Sequence, residues 1–78
     1  MKVITTIVTK DGQENQFVAT RNDSSRDHIE EMVANTLRIA NTGFTQGVHF
    51  CVTIDDDERG QVLVNGQSLS AFAMKIVD

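Results

Sequence analysis

The stretch that decides the fold runs from residue 22 to residue 43 and reads NDSSRDHIEEMVANTLRIANTG. Its first four residues all favour helix N-caps, and acidic residues follow where the first turn would lie. A single stripe then recurs at the 3.6-residue period of a helix with one buried face. Its members are Ile29, Met32, Val33, Thr36, Leu37 and Ala40. Because Gly43 suits the left-handed position after a helix, the pattern predicts a helix over about residues 25–41.

The segments before this helix predict a β-hairpin. Val3–Lys10 and Gln13–Thr20 are both suited to strands, the first through its Val, Ile and Thr residues, and an Asp-Gly pair separates them. A two-residue turn would place Thr6 opposite Phe17. The register stays open, because a slip of one residue would move every side chain to the other face of the sheet.

The segments after the helix predict further strands. Apolar and polar residues alternate from Val48 to Asp55, a polar turn spans Asp55–Gly60, and Gln61–Val64 begins the next strand. Asn-Gly at positions 65 and 66 is another turn signal. Residues 68–77 fit either a strand or a helix, and we predict a strand.

These elements predict the α+β class, with one domain over residues 1–78. The order β-β-α-β-β, with a fifth strand at the end, favours a small antiparallel sheet of four or five strands with the amphipathic helix packed on one face. Four phenylalanines are spaced as core residues: Phe17, Phe44, Phe50 and Phe72. The second face of such a sheet has no cover within the sequence, so it could face water or a partner.

Charge and cysteine content narrow the setting. Seven basic against eleven acidic residues give a net charge of −4, which argues against direct binding to nucleic acid. The single cysteine, Cys51, forbids an intramolecular disulfide, and no apolar run is long enough for a membrane span or a signal-peptide core. We therefore expect a cytoplasmic protein that does not interact with membranes.

No arrangement of residues predicts a catalytic, cofactor or metal site. His49 and Cys51 would share one strand face, but a zinc site needs at least one further protein ligand. A calcium loop starting at Asp55 fails, since Arg59 stands at its fifth position and Gly66 at its twelfth. We expect no enzyme activity, no cofactor and no bound metal.

The most distinctive feature is the acidic turn, which we define as Asp55, Asp56, Asp57 and Glu58. A run of four acidic residues fits a solvated hairpin tip, where like charges cost little in water, or a contact with a basic partner surface. We predict that these four residues contact a partner protein with a basic surface, because such a cluster steers association. The predicted function is a non-catalytic protein-binding module or small inhibitor that occupies a partner's surface. Its size and charge are common among accessory proteins, including those of phages and mobile elements. The alternatives are an acidic nucleic-acid mimic and a structural homodimer, joined face to face or edge to edge.

Overall fold

The computed structural model describes residues 1–22 and 25–78, so two of the four N-cap candidates, Asp23 and Ser24, lie outside the described residues. One helix and five strands confirm the α+β class, and the final segment is a strand as predicted. The elements are β1 (Lys2–Thr9), β2 (Glu14–Thr20), α1 (Arg26–Gln46), β3 (Cys51–Asp56), β4 (Gly60–Asn65), a short 3₁₀ turn (Gly66–Ser68) and β5 (Leu69–Val77). Within the described part of the chain, no helix is both long and apolar enough to cross a membrane.

The five strands form two antiparallel sheets rather than the single sheet that we predicted. The larger sheet has the order β2-β1-β5, and the smaller one is the β3-β4 hairpin. β3 begins at Cys51, three residues later than the alternation from Val48 suggested. The two sheets meet where the end of β3 passes the outer edge of β2, and side chains rather than a continuous strand ladder make most of that junction.

The first hairpin has a longer loop than the two-residue turn considered above. Thr9 lies opposite Gln13, with an N–H to carbonyl distance of 2.8 Å, and the Gly12 N–H donates to the Thr9 carbonyl at 2.9 Å. Gly12 has a φ of 90°, which suits the left-handed last position of a three-residue loop. The extra residue shifts the register by one, so that Phe17 pairs with Thr5 and not with Thr6.

The helix begins as predicted but ends later. Ser25 is the N-cap, with its hydroxyl accepting from the His28 N–H at 3.3 Å. The expectation that Gly43 follows the helix end is wrong. Gly43 lies inside α1, and Gly47, with a φ of 66°, is the left-handed cap whose N–H donates to the Gly43 carbonyl. The prediction that a glycine caps the helix is therefore confirmed, but the capping glycine lies four residues later than predicted.

Most of the buried apolar residues in the described part of the chain form two clusters. The first joins the two sheets and consists of Ile7, Phe17, Val52, Ile54, Val64 and Leu69. The second joins the helix to the larger sheet through Val3, Ile29 and Val33, with Met74 and Ile76 packed against it. The helix stripe is buried or half-buried along its length, as its periodicity predicts. Of the four phenylalanines, only Phe17 is fully buried, and Phe44 exposes 41% of its surface.

Candidate functional site

The acidic turn (Asp55–Glu58) lies beside the outer edge of β2, where the two sheets meet. Its first two residues end β3, and its last two lie in the tight turn before β4. The Asp57 N–H donates to the Val18 carbonyl at 2.8 Å, while the Val18 N–H donates to the Asp56 carboxylate at 3.0 Å. The Thr20 N–H and hydroxyl both donate to the Asp57 carboxylate, at 2.9 and 2.6 Å. The turn therefore occupies the edge of β2 that would otherwise be open.

Asp56 is the most buried member of the acidic turn, with 8% of its surface exposed. Besides Val18, it accepts hydrogen bonds from the N–H groups of Glu58 at 3.2 Å and Arg59 at 2.9 Å. The Val18 N–H has the largest effect in lowering the pKa of Asp56, followed by the Arg59 N–H. One carboxylate thus holds the turn closed and ties it to β2.

The other members of the turn differ in how far they are engaged. The Asp55 carboxylate forms an ion pair with the Arg21 guanidinium. The Asp57 carboxylate accepts a hydrogen bond from the Thr20 hydroxyl, and this bond is the main cause that lowers the pKa of Asp57. The Glu58 carboxylate makes no hydrogen bond or ion pair with residues 1–22 and 25–78. Three of the four predicted partner-contact residues therefore have partners within the chain, whereas the Glu58 carboxylate has none among the described residues.

Arg59, which follows the acidic turn, also contacts residues of β2 at this junction. Its guanidinium carbon lies 4.4 Å from the centre of the Phe17 ring, its Nη2 donates to the Gln16 carbonyl at 2.9 Å, and its Nε lies 3.3 Å from the Asp56 carboxylate. The cations at Arg21 and Arg59 partly neutralise the acidic turn. Substituting all four acidic residues together would disturb the junction between the sheets as well as any partner contact.

A second candidate surface is a groove at the C-terminal half of α1. It has a volume of about 310 Å³, and we call it the apolar groove. Its lining residues are Arg38, Ile39, Thr42, Gly43, Val48, His49 and Phe50. Ile39 and Val48 expose 51% and 53% of their surfaces, although large aliphatic side chains are usually buried. The groove is thus an apolar depression with the Arg38 guanidinium and the His49 imidazole among its lining.

The floor of the apolar groove depends on two glycines that lie against the Phe50 ring. A Cβ atom added at Gly43 would come within 2.0 Å of the ring, and one added at Gly66 within 2.3 Å. The Gly66 N–H also donates to the Phe50 carbonyl at 2.8 Å, and Phe44 meets the ring edge-on at a centroid distance of 5.3 Å. The absence of side chains at these two positions lets the ring pack between the helix and the turn before β5.

The remaining polar candidates from the sequence are His49 and Cys51. His49 precedes β3 and is exposed, and Cys51 is an exposed free thiol at the start of that strand. Among the described residues, no three His, Cys, Asp or Glu side chains come together in a way that could hold a metal ion. A cavity of about 90 Å³ beneath α1, lined in part by Thr5, Arg21 and Thr36, has room for a few water molecules but is smaller than typical ligand pockets.

Comparison with known proteins gives no further guide to the site. No family model, no curated protein and no solved structure matches the chain at a significant level. The candidate surfaces therefore depend on the geometry of this chain alone.

The apolar groove was not found from the sequence, although one signal was present. Ile39 is a large aliphatic residue outside the core stripe of the helix, and such a position predicts exposure. The alternation from Val48 to Asp55 predicts that Val48 lies on the buried face of a strand. Its exposure follows from the later start of β3 at Cys51, which leaves Val48 in the connection after the helix.

Proposed function

We propose that the chain is a non-catalytic protein-binding module that holds an apolar side chain of its partner in the apolar groove. The observation that carries this proposal is the pair Ile39 and Val48, each about half exposed beside the ring of Phe50. Clustered apolar exposure of this kind on a folded protein is typical of an interaction site. A volume of about 310 Å³ can hold a leucine, methionine or phenylalanine side chain.

The charges around the groove indicate what should flank that side chain. Arg38 lines the groove, and within residues 1–22 and 25–78 its Nη2 donates to the neighbouring Asn35 side chain alone, at 2.8 Å. His49 lines the same depression, and its imidazole ring carries an N–H group that can donate a hydrogen bond to a carboxylate. A partner segment with a carboxylate next to its apolar anchor would satisfy both groups. We therefore propose an apolar side chain with an acidic neighbour as the bound element.

The acidic turn has a smaller part in this proposal than the sequence suggested. Glu58 and the net charge of −4 can still steer a partner whose wider surface is basic. Steering of this kind changes the association rate and its salt dependence more than the affinity. The nucleic-acid mimic has less support, because Asp55, Asp56 and Asp57 already accept hydrogen bonds or ion pairs within the chain.

The test compares groove variants with a matched exposed variant. Ile39→Ser and Val48→Ser, together, remove the exposed aliphatic side chains of the groove. Leu63→Ser is the control, since Leu63 exposes 72% of its surface and does not line the groove. Each tagged protein is used to capture partners from a lysate of the source cells, and the retained proteins are quantified by mass spectrometry after circular dichroism has shown that all variants are folded.

We expect a defined partner that is retained by the wild type and by the Leu63→Ser control but is lost with the double groove variant. Loss of one well-buried aliphatic contact is worth about 1.5–3 kcal/mol, or about tenfold or more in affinity. Equal retention by the groove variant and the control would refute the groove as the binding site. No retained protein with any variant would refute the proposed function itself.

A further inference from the structure

The hydrogen-bond pattern of β1 determines which side of β5 is open. Two bonds mark the ends of the β1-β2 ladder, from the Arg21 N–H to the Met1 carbonyl and from the Thr9 N–H to the Gln13 carbonyl, both at 2.8 Å. Hydrogen-bonded pairs alternate along an antiparallel ladder, so the odd-numbered residues of β1 bond to β2 and the even-numbered ones to β5.

The same parity carries over to β5 through its register with β1. Ile4, Thr6 and Val8 lie opposite Lys75, Ala73 and Ala71, so these odd-numbered residues of β5 bond to β1. The backbone groups of the even-numbered residues therefore point to the outer edge. From Ala71 onward they belong to Phe72, Met74 and Ile76, whereas Ser70 lies where the register with β1 shifts between Val8 and Thr9. Within the described residues, the backbone groups of Phe72, Met74 and Ile76 have no other hydrogen-bond partner.

The two edges of the larger sheet therefore differ in whether their outward backbone groups are hydrogen-bonded. At the β2 edge, the acidic turn bonds to the outward groups of Val18 and Thr20. At the β5 edge, nothing in the described part of the chain covers the outward groups, and β5 is the longest strand of the fold. Its inner-face side chains Phe72 and Met74 remain half exposed, because the sheet ends beside them. An open strand edge of this length is a template for pairing with another strand.

We propose that β5 pairs antiparallel with β5 of a second copy of this chain about a twofold axis at Ala73. In this register Phe72 of each copy lies opposite Met74 of the other, so that outward backbone groups meet outward backbone groups. Each of these two pairs exchanges two backbone hydrogen bonds. The larger sheet then continues into the second copy as six strands, and Phe72 gains a methionine contact on the inner face.

The side chains of the outer face agree with this register. Ala73 meets its own copy at the axis, at a close, non-hydrogen-bonded position where a small side chain fits. Lys75 lies opposite Ala71 of the second copy, so the two lysines are four residues apart along the strand, or about 13 Å. At physiological salt that separation exceeds the screening length of about 8 Å, and the like charges barely repel each other. Shifting the register to bring Lys75 opposite itself would remove this advantage.

A cysteine placed at the axis tests both the dimer and its register. Cys51→Ser removes the native thiol, and Ala73→Cys or Ala71→Cys is then added. Cα atoms at the axis would be about 4.5 Å apart, within the range that a disulfide spans, whereas those of residue 71 would be about 13 Å apart. After mild oxidation we expect a covalent dimer with Ala73→Cys and almost none with Ala71→Cys. Equal cross-linking of the two variants would overturn the register.

Analytical ultracentrifugation tests the association without a cross-link. The wild type should change from 8.6 kDa towards twice that mass as its concentration rises. Ala73→Glu should raise the dimer dissociation constant by about fivefold, the factor for about 1 kcal/mol of repulsion between contacting like charges in water, and Ala73→Ser should not. A wild type that stays monomeric at the highest soluble concentration would overturn the proposal. This outcome is independent of the apolar groove, whose variants leave β5 unchanged.

Discussion

Replacing Gly43 with alanine should destabilise the protein, although alanine is the better helix former. Inside a helix the change by itself is worth about 1 kcal/mol of added stability. The new Cβ atom, however, would lie 2.0 Å from Cδ1 and 2.5 Å from Cε1 of Phe50. Carbon atoms that do not share a bond pack at about 3.5–4.0 Å, so the ring would have to move by about 1.5 Å.

The Phe50 ring has little freedom to make that movement. The same edge of the ring lies against Gly66, where an added Cβ atom would be 2.3 Å from Cε1. Overpacking of this kind costs about 1–3 kcal/mol, and expelling the half-buried ring would cost a part of the 3–5 kcal/mol measured for deleting a fully buried phenylalanine. Setting about 2–3 kcal/mol of steric cost against about 1 kcal/mol of helix propensity, we expect a net loss of about 1–2 kcal/mol.

A double-mutant cycle isolates this steric term. In a Phe50→Ala background the ring is absent, so Gly43→Ala should stabilise the protein by about 1 kcal/mol instead of destabilising it. The free energies of unfolding of the wild type, the two single variants and the double variant are measured by urea denaturation with circular dichroism. Equal stabilisation by Gly43→Ala in both backgrounds would refute the contact between Gly43 and Phe50.

Two further predictions concern the helix end and the acidic turn. Gly47→Ala should lower the free energy of unfolding by about 1 kcal/mol, because the cap has a φ of 66°. A thermal melt should show this as a decrease in Tm of about 4–8 °C. An unchanged Tm would contradict a left-handed cap at this position. The pKa values of Asp56 and Asp57 are lowered in the folded state, so their contribution to stability is complete above their unfolded pKa of about 3.9 and is lost as the pH falls through the folded values. Urea denaturation across this acidic range should show the loss in the wild type and a shallower loss in a variant carrying Asp56→Asn and Asp57→Asn; equal slopes would contradict the assigned hydrogen bonds.

Local patterns predicted most of the elements of this fold. The helix stripe, an N-cap within a run of four candidate residues, the first hairpin and the final strand all follow from spacing and turn residues over short distances. The helix end was misplaced because Gly43 carries the usual stop signal for a different reason. It is required by the ring of Phe50, a contact between residues that only the folded chain brings together.

The division into two sheets and the role of the acidic turn could not be predicted from the sequence. Both depend on how β3 lies against β2, which are separated by the whole helix. Four consecutive acidic residues suggested a solvent-exposed contact surface, yet Asp56 accepts a hydrogen bond from the Val18 N–H, 38 positions earlier in the chain. A buried carboxylate that satisfies a strand edge has the same sequence pattern as an exposed one, because only its distant donors distinguish them.

The most direct test of the proposed function is to map the binding surface residue by residue. The captured partner, or its isolated binding segment, is added to ¹⁵N-labelled protein, and the backbone amide shifts are followed by NMR. We expect the largest changes in amide shift at Ile39, Val48 and His49. The amide shifts of β5 and of Asp55, Asp56 and Asp57 should stay nearly unchanged. Shifts concentrated at Asp55–Asp57, with none around the apolar groove, would contradict the proposed binding site.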